Sequence, residues 1–149
     1  MAIRKFRNLV CALIVIASFG AGGAYIAKAG NTYLNVTVSN MPGSPSPDPY
    51  SLVEPKDDSD SKFYITLYTL TGASSIHFTA YKTYGNGTNH NLSIDTQASL
   101  TKTMYDTNLG TTMPKAYYTG YAIAGQRYYL YSEPVGYGYN INAVGHYCP

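Results

Sequence analysis

Asp95, Asp106, Glu133 and His146 are the residues from which this chain would have to build a small hydrolase. A glycosidase needs two carboxyl groups facing each other across a cleft, and a general base needs a group placed to take a proton. The four are scattered over separate predicted strands and turns, with Asp95 and Asp106 in ordinary turn settings. His77 and His90 are equally dispersed and read as exposed side chains. No Gly-x-Ser-x-Gly, His-Glu-x-x-His, phosphate-binding loop or Cys-x-x-Cys occurs. The chain therefore reads as non-enzymatic, with no catalytic residue and no cofactor.

Metal chemistry has little more support. Asp57, Asp58 and Asp60 resemble part of an acidic calcium loop, but the glycine and closing glutamate of an EF-hand are absent, so they read as a solvated charge run. His146 and Cys148 would share one face of a strand, without a second cysteine or a spaced histidine pair to complete a shell. No metal is expected.

Tyrosine is the strongest signal. The chain holds 17 Tyr and no Trp, and Tyr117, Tyr118, Tyr121, Tyr128, Tyr129, Tyr131, Tyr137, Tyr139 and Tyr147 crowd the last 33 residues. Side chains alternate across a strand, so Tyr117 and Tyr118 cannot both be core, nor can Tyr128 and Tyr129. Some rings must lie on an outer face or line a groove. A phenol offers apolar area and a hydrogen bond at modest entropic cost, which suits contact with a glycan or a protein. The same rings also satisfy sheet propensity and cross-strand pairing. The candidate binding face comprises Tyr117, Tyr118, Tyr121, Tyr128, Tyr129, Tyr131, Tyr137 and Tyr139.

The elements that would carry these residues are strands. Residues 32–38 alternate, with Leu34, Val36 and Val38 on one side. Residues 39–62 carry Pro42, Pro45, Pro47, Pro49 and Pro55 and are expected to form a long exposed loop. Residues 63–70 and 75–84 are β-branched and aromatic, and the Thr71-Gly72-Ala73-Ser74 turn between them predicts a hairpin. A tight turn at Gly85-Asn86-Gly87 leads to a short strand marked by Leu92 and Ile94. Residues 100–105, 116–123, 127–131 and 139–144 supply four more candidates. No window after the leader has helical amphipathic spacing. Short strands separated by Gly, Pro and Asn turns predict an all-β fold, an antiparallel sandwich or barrel of about seven or eight strands.

Export is expected. Residues 1–7 hold three positive charges, an apolar run follows, and Ala27-Lys28-Ala29 has the small-x-small pattern of a signal-peptidase site. The division is a signal segment over residues 1–29 in helical form, a strand plus Pro/Asp-rich loop over 30–62, and a Tyr-rich β domain over 63–149. Beyond Ala29 there are six Lys/Arg against eight Asp/Glu. That balance excludes nucleic acid, which needs a basic face, and a membrane partner once the signal is removed. Cleavage also removes Cys11, leaving Cys148 as the only thiol and a candidate for an intermolecular disulfide.

The ending, Gly125-Gln-Arg-Tyr-Tyr-Leu-Tyr followed by Tyr139-Asn-Ile-Asn-Ala-Val-Gly-His-Tyr-Cys-Pro149, resembles the last strands of small uncharacterised exported proteins of Gram-positive bacteria, some of which accompany bacteriocin-type export genes. The resemblance implies an extracellular β-sandwich and transfers no functional residue. The function expected is a secreted, non-enzymatic β protein acting by surface contact or self-association. Its partner would be a cell-surface glycan, a protein, or a second copy of itself as a dimer. A bacteriocin-like or toxin-like factor is the alternative, and a small secreted hydrolase the third.

Overall fold

The computed structural model describes residues 32–39, 48–136 and 140–149. The expected signal segment, Tyr137 and Tyr139 lie outside these residues. The described residues form nine strands: β1 (Thr32–Val38), β2 (Glu54–Pro55), β3 (Lys62–Thr71), β4 (Ser75–Lys82), β5 (Thr96–Gln97), β6 (Lys102–Tyr105), β7 (Thr112–Ala116), β8 (Arg127–Pro134) and β9 (Ile141–Cys148). All pairing is antiparallel. One sheet has the order β1-β9-β3-β7, and the other has β2-β8-β4-β5 with β6 also on β4.

The two sheets face each other across one apolar core. Alternation turns Leu34, Val36 and Val38 of β1, Phe63, Ile65 and Leu67 of β3, and Ile141, Ala143 and Tyr147 of β9 inward from the first sheet. Ile76, Phe78 and Ala80 of β4 and Tyr128 and Leu130 of β8 meet them from the second. The fold is thus an antiparallel β-sandwich, within the all-β class expected. Gly145 is the one inward position of β9 without a side chain. The β3–β9 register shifts between Leu67 and Thr69, and a Cβ on Gly145 would stand 2.0 Å from the Thr66 carbonyl oxygen. The bulge brings the neighbouring backbone too close for any residue but glycine.

Four local expectations need correction. The turn at Thr71-Gly72-Ala73-Ser74 exists, but β3 and β4 do not form a hairpin. Both edges of β3 are taken by β7 and β9, so the turn carries the chain from one sheet to the other. The short strand expected at Leu92 and Ile94 is a turn, because the Asp95 carboxylate accepts the backbone N–H groups of Tyr84 and Asn91 and holds this stretch folded. The strand expected over 116–123 lies earlier, at Thr112–Ala116, while 118–123 is not strand and turns at Thr119-Gly120.

Of the loop expected over 39–62, residues 49–55 run along the edge of the second sheet, 57–61 remain loop, and Lys62 opens β3. Thr37 and Asp48 exchange backbone hydrogen bonds, Tyr50 bridges to Tyr131, and Glu54 and Pro55 pair with β8. Pro49 and Pro55 fit because an edge strand does not need every donor.

Candidate functional site

The outer face of the second sheet is built by residues that alternate with its core. On β8 these are Tyr129 and Tyr131, and on β4 they include Tyr81, which lies in register with Tyr129. The Tyr81 and Tyr129 rings stack with centroids 5.7 Å apart, and Tyr81 meets Tyr131 edge-on at 6.1 Å. Tyr50, brought over by the edge segment, lies 5.9 Å from Tyr129 and 5.5 Å from Tyr131. His90, from the turn after β4, stacks on Tyr50 at 3.9 Å. The result is a continuous aromatic layer of Tyr50, Tyr81, His90, Tyr129 and Tyr131 outside the sandwich core.

Tyr129 is the keystone of this layer. It has no exposed surface, yet it does not belong to the core cluster. Its hydroxyl donates to Asp95 Oδ2 at 3.1 Å. Asp95 also accepts the Tyr84 N–H at 2.7 Å through Oδ1, and the Asn91 N–H through Oδ2. One carboxylate therefore fixes both the ring layer and the turn that delivers His90. Burial and then the Asp95 charge push the Tyr129 phenol far above its ordinary pKa. Burial and then the Glu133 charge raise Tyr81 and Tyr131 as well. The phenols of Tyr81, Tyr129 and Tyr131 therefore stay protonated.

A cleft of about 410 Å³ opens beside the layer, where the edges of the two sheets part. Tyr33 and Asn35 of β1 form one wall, residues 50–53 the other, and Thr88, Asn89 and His90 close an end. Among the described residues, Asp48 is the only Asp, Glu, Lys or Arg lining it. Its size is that of an ordinary ligand site.

The expected face of eight tyrosines is divided by the fold. Tyr117 and Tyr128 are core residues, packed against each other at 4.9 Å, and cannot belong to an exposed face. Tyr129 and Tyr131 do share the outer layer. Tyr128 and Tyr129 take opposite faces as alternation requires, but both are fully covered because Tyr50, Tyr81 and His90 crowd around the outer ring. Tyr118 and Tyr121 form a smaller pair at 6.0 Å on the turn after β7. Lys82 Nζ stands 5.5 Å from the Tyr121 ring centre.

Tyr50, Tyr81 and His90 were absent from the expected site. Tyr81 was legible, since it alternates with Ile76, Phe78 and Ala80. Tyr50 lies in a proline-rich stretch without a periodic signal.

The four hydrolase candidates are spread. Asp95 sits beyond the Lys82 end of β4, whereas the Asp106 N–H bonds to Ser74 at the other end. Glu133 is in register with His77 on the outer face. His146 faces away on the first sheet, edge-on to Tyr33 at 6.4 Å and Tyr68 at 5.3 Å.

The acidic run is not simply solvated. Lys56 is fully buried and its Nζ donates to Asp58 Oδ1 at 2.8 Å and to a Pro149 backbone oxygen at 3.2 Å. Asp60 accepts the Tyr64 hydroxyl at 2.7 Å. Cys148 lies half-buried beside this group, and burial, then the Asp58 charge, hold its thiol above the usual range. Among the described residues, no three His, Cys, Asp or Glu gather in a metal-binding group.

Set against known proteins, the chain matches no family model, no curated protein and no solved structure.

Proposed function

We propose that the protein is a secreted, non-enzymatic binding protein that acts by surface contact, with the aromatic layer of the second sheet as its contact face. The observation that supports this reading is the burial of Tyr129 outside the core, under Tyr50, Tyr81 and His90 and tied to Asp95. A ring layer that is ordered without being core holds its remaining exposed edges and hydroxyls in fixed positions. It pays little entropy on binding. The basic head, apolar run and Ala27-Lys28-Ala29 support export, and the polar, weakly charged composition suits a contact without electrostatic steering.

The test is binding of the fluorescently labelled chain to the surface of the cells that produce it. Tyr81→Ala and Tyr131→Ala should each weaken binding by about tenfold. Equal binding by the wild type and both variants, or no binding by any, would overturn the reading.

A further inference from the structure

β1 is an edge strand, and its backbone is only partly paired on the open side. Thr37 N–H donates to the Asp48 carbonyl at 2.8 Å, and Asp48 N–H donates back to Thr37 at 3.0 Å. Both backbone groups of Thr37 therefore point away from β9. In an antiparallel ladder this direction alternates, so those of Asn35 and Tyr33 point the same way. Among the described residues, nothing pairs with them there.

The reason is a change of sheet. A chain continuing in register from Thr37 and Asp48 would set Tyr50 opposite Asn35 and Leu52 opposite Tyr33. Instead, Tyr50 bridges to Tyr131, Ser51 N–H donates to the Leu130 carbonyl at 3.0 Å, and Ser132 N–H to the Pro49 carbonyl at 2.8 Å. The segment joins the second sheet and leaves a wedge against β1. That wedge is the 410 Å³ cleft. Tyr33 and Leu52 flank it with 55% and 62% of their surfaces exposed.

The other edges are guarded against strand pairing or, in β5, only two residues long, and this one is neither. β7 carries Pro114 and Lys115, β2 contains Pro55, and β6 begins at Lys102. β1 reads TYLNVTV, with neither proline nor charge. Lysine and proline are the usual devices that keep an edge from templating another strand.

We infer that the cleft is a peptide-docking groove, in which an extended, uncharged or basic segment of a partner protein adds a strand to β1 opposite Tyr33 and Asn35. The backbone groups of these two residues supply the ladder. Asp48, the only Asp, Glu, Lys or Arg among the described residues lining the cleft, favours a cationic side chain over an anionic one. The inference rests on the contact reading above and gives it a partner class.

The experiment pans a random heptapeptide display library on the purified chain and follows the selected peptides by NMR. In the free protein the Tyr33 and Asn35 amides should exchange rapidly, and selected peptides should slow both at least tenfold. Selection should enrich alternating sequences with basic residues, and methylating alternate backbone nitrogens should abolish their binding. Asn35→Pro, which removes one donor at an edge position where proline is tolerated, should weaken binding at least tenfold. Asp48→Lys keeps the main-chain bonds to Thr37 and should turn the preference from basic to acidic peptides.

Four results would overturn the groove: slow exchange of these amides in the free protein, no enrichment, selected peptides that leave the two amides unchanged, or cell binding that survives protease treatment of the cells and so belongs to a glycan. The last would leave the contact reading standing. Loss of cell binding in Asn35→Pro with no effect of Tyr81→Ala or Tyr131→Ala would support the groove and overturn the aromatic face.

Discussion

The Tyr129 hydroxyl donates to Asp95 Oδ2 at 3.1 Å, joining two residues 34 positions apart and fixing an aromatic layer on the outside of the sandwich. Asp95 gathers three donors, so its removal takes an acceptor from all of them. Asp95→Ala should destabilise the fold by about 1–2 kcal/mol, chiefly because the part-buried Tyr129 hydroxyl is left unmet, whereas the exposed Tyr84 and Asn91 N–H groups can turn to water. Thermal unfolding measures the loss, and near-ultraviolet circular dichroism should show the tyrosine signal weakening. Asp95→Asn keeps an acceptor for Tyr129 and should lose less.

Lys56 should prove the most sensitive charged residue. Its ammonium is fully buried between Asp58 and Pro149, and its Nζ lies 5.4 Å from the Tyr117 ring centre. Lys56→Ala removes the stem packing and the pair together, and should cost about 3 kcal/mol in denaturant unfolding. Lys56→Met keeps most of the stem and should cost less. Asp58→Asn should be milder again, because a quarter of the Asp58 side chain is exposed and water can replace part of the interaction.

The two glycines Gly145 and Gly110 separate close approach from backbone conformation. A Cβ on Gly145 meets the Thr66 carbonyl oxygen at 2.0 Å, so Gly145→Ala should cost about 3 kcal/mol or more by forcing β3 and β9 apart. Gly110 has φ +74° with nothing within 4 Å of an added Cβ, so Gly110→Ala should cost only about 1–2 kcal/mol for the left-handed backbone. Equal costs in chemical denaturation would show that the bulge relaxes.

Alkaline pH should unfold the protein. Burial raises the pKa of Tyr81, Tyr117, Tyr128, Tyr129, Tyr131 and Tyr147 above the ordinary value of 10. The folded state then holds protons that the unfolded state releases, so stability is fully present below pH 10 and falls as pH rises through the folded values. Ultraviolet titration should show these six tyrosines ionising only as the protein unfolds. Ionisation of these six near the ordinary value, without unfolding, would contradict their burial.

Cys148 should be a slow thiol. Half-burial and the raised thiol pKa keep the reactive thiolate scarce at neutral pH. Reaction with a disulfide reagent should be slow in the native protein and accelerate in denaturant. Intact mass with and without reductant reads whether two chains are bridged. A fast native reaction would mean that the end of β9 opens readily.

Alternation placed much of the architecture within reach of the amino-acid order. Leu34, Val36 and Val38, Phe63, Ile65 and Leu67, and Ile76, Phe78 and Ala80 all face the core as their spacing indicates. The opposite orientation of Tyr128 and Tyr129 follows from the same period. Period and propensity are local properties, decided by the backbone of a few consecutive residues. They identify strands and their faces.

Partners are not local. The pairing of Thr32 with Tyr147, the separation of β3 and β4 into different sheets, and the recruitment of residues 48–55 to an edge all depend on which edges remain open after the chain collapses. The aromatic layer has the same origin. Tyr50 and His90 reach Tyr129 only because an edge segment and a turn converge there, and nothing in the residues around Tyr50 announces that meeting. The residue order thus settled an all-β chain with alternating apolar faces, because side-chain direction repeats every two residues. Tertiary structure alone decided which tyrosines became core, which became a layer and where the cleft opened, because those outcomes are set by contacts between residues far apart in the chain.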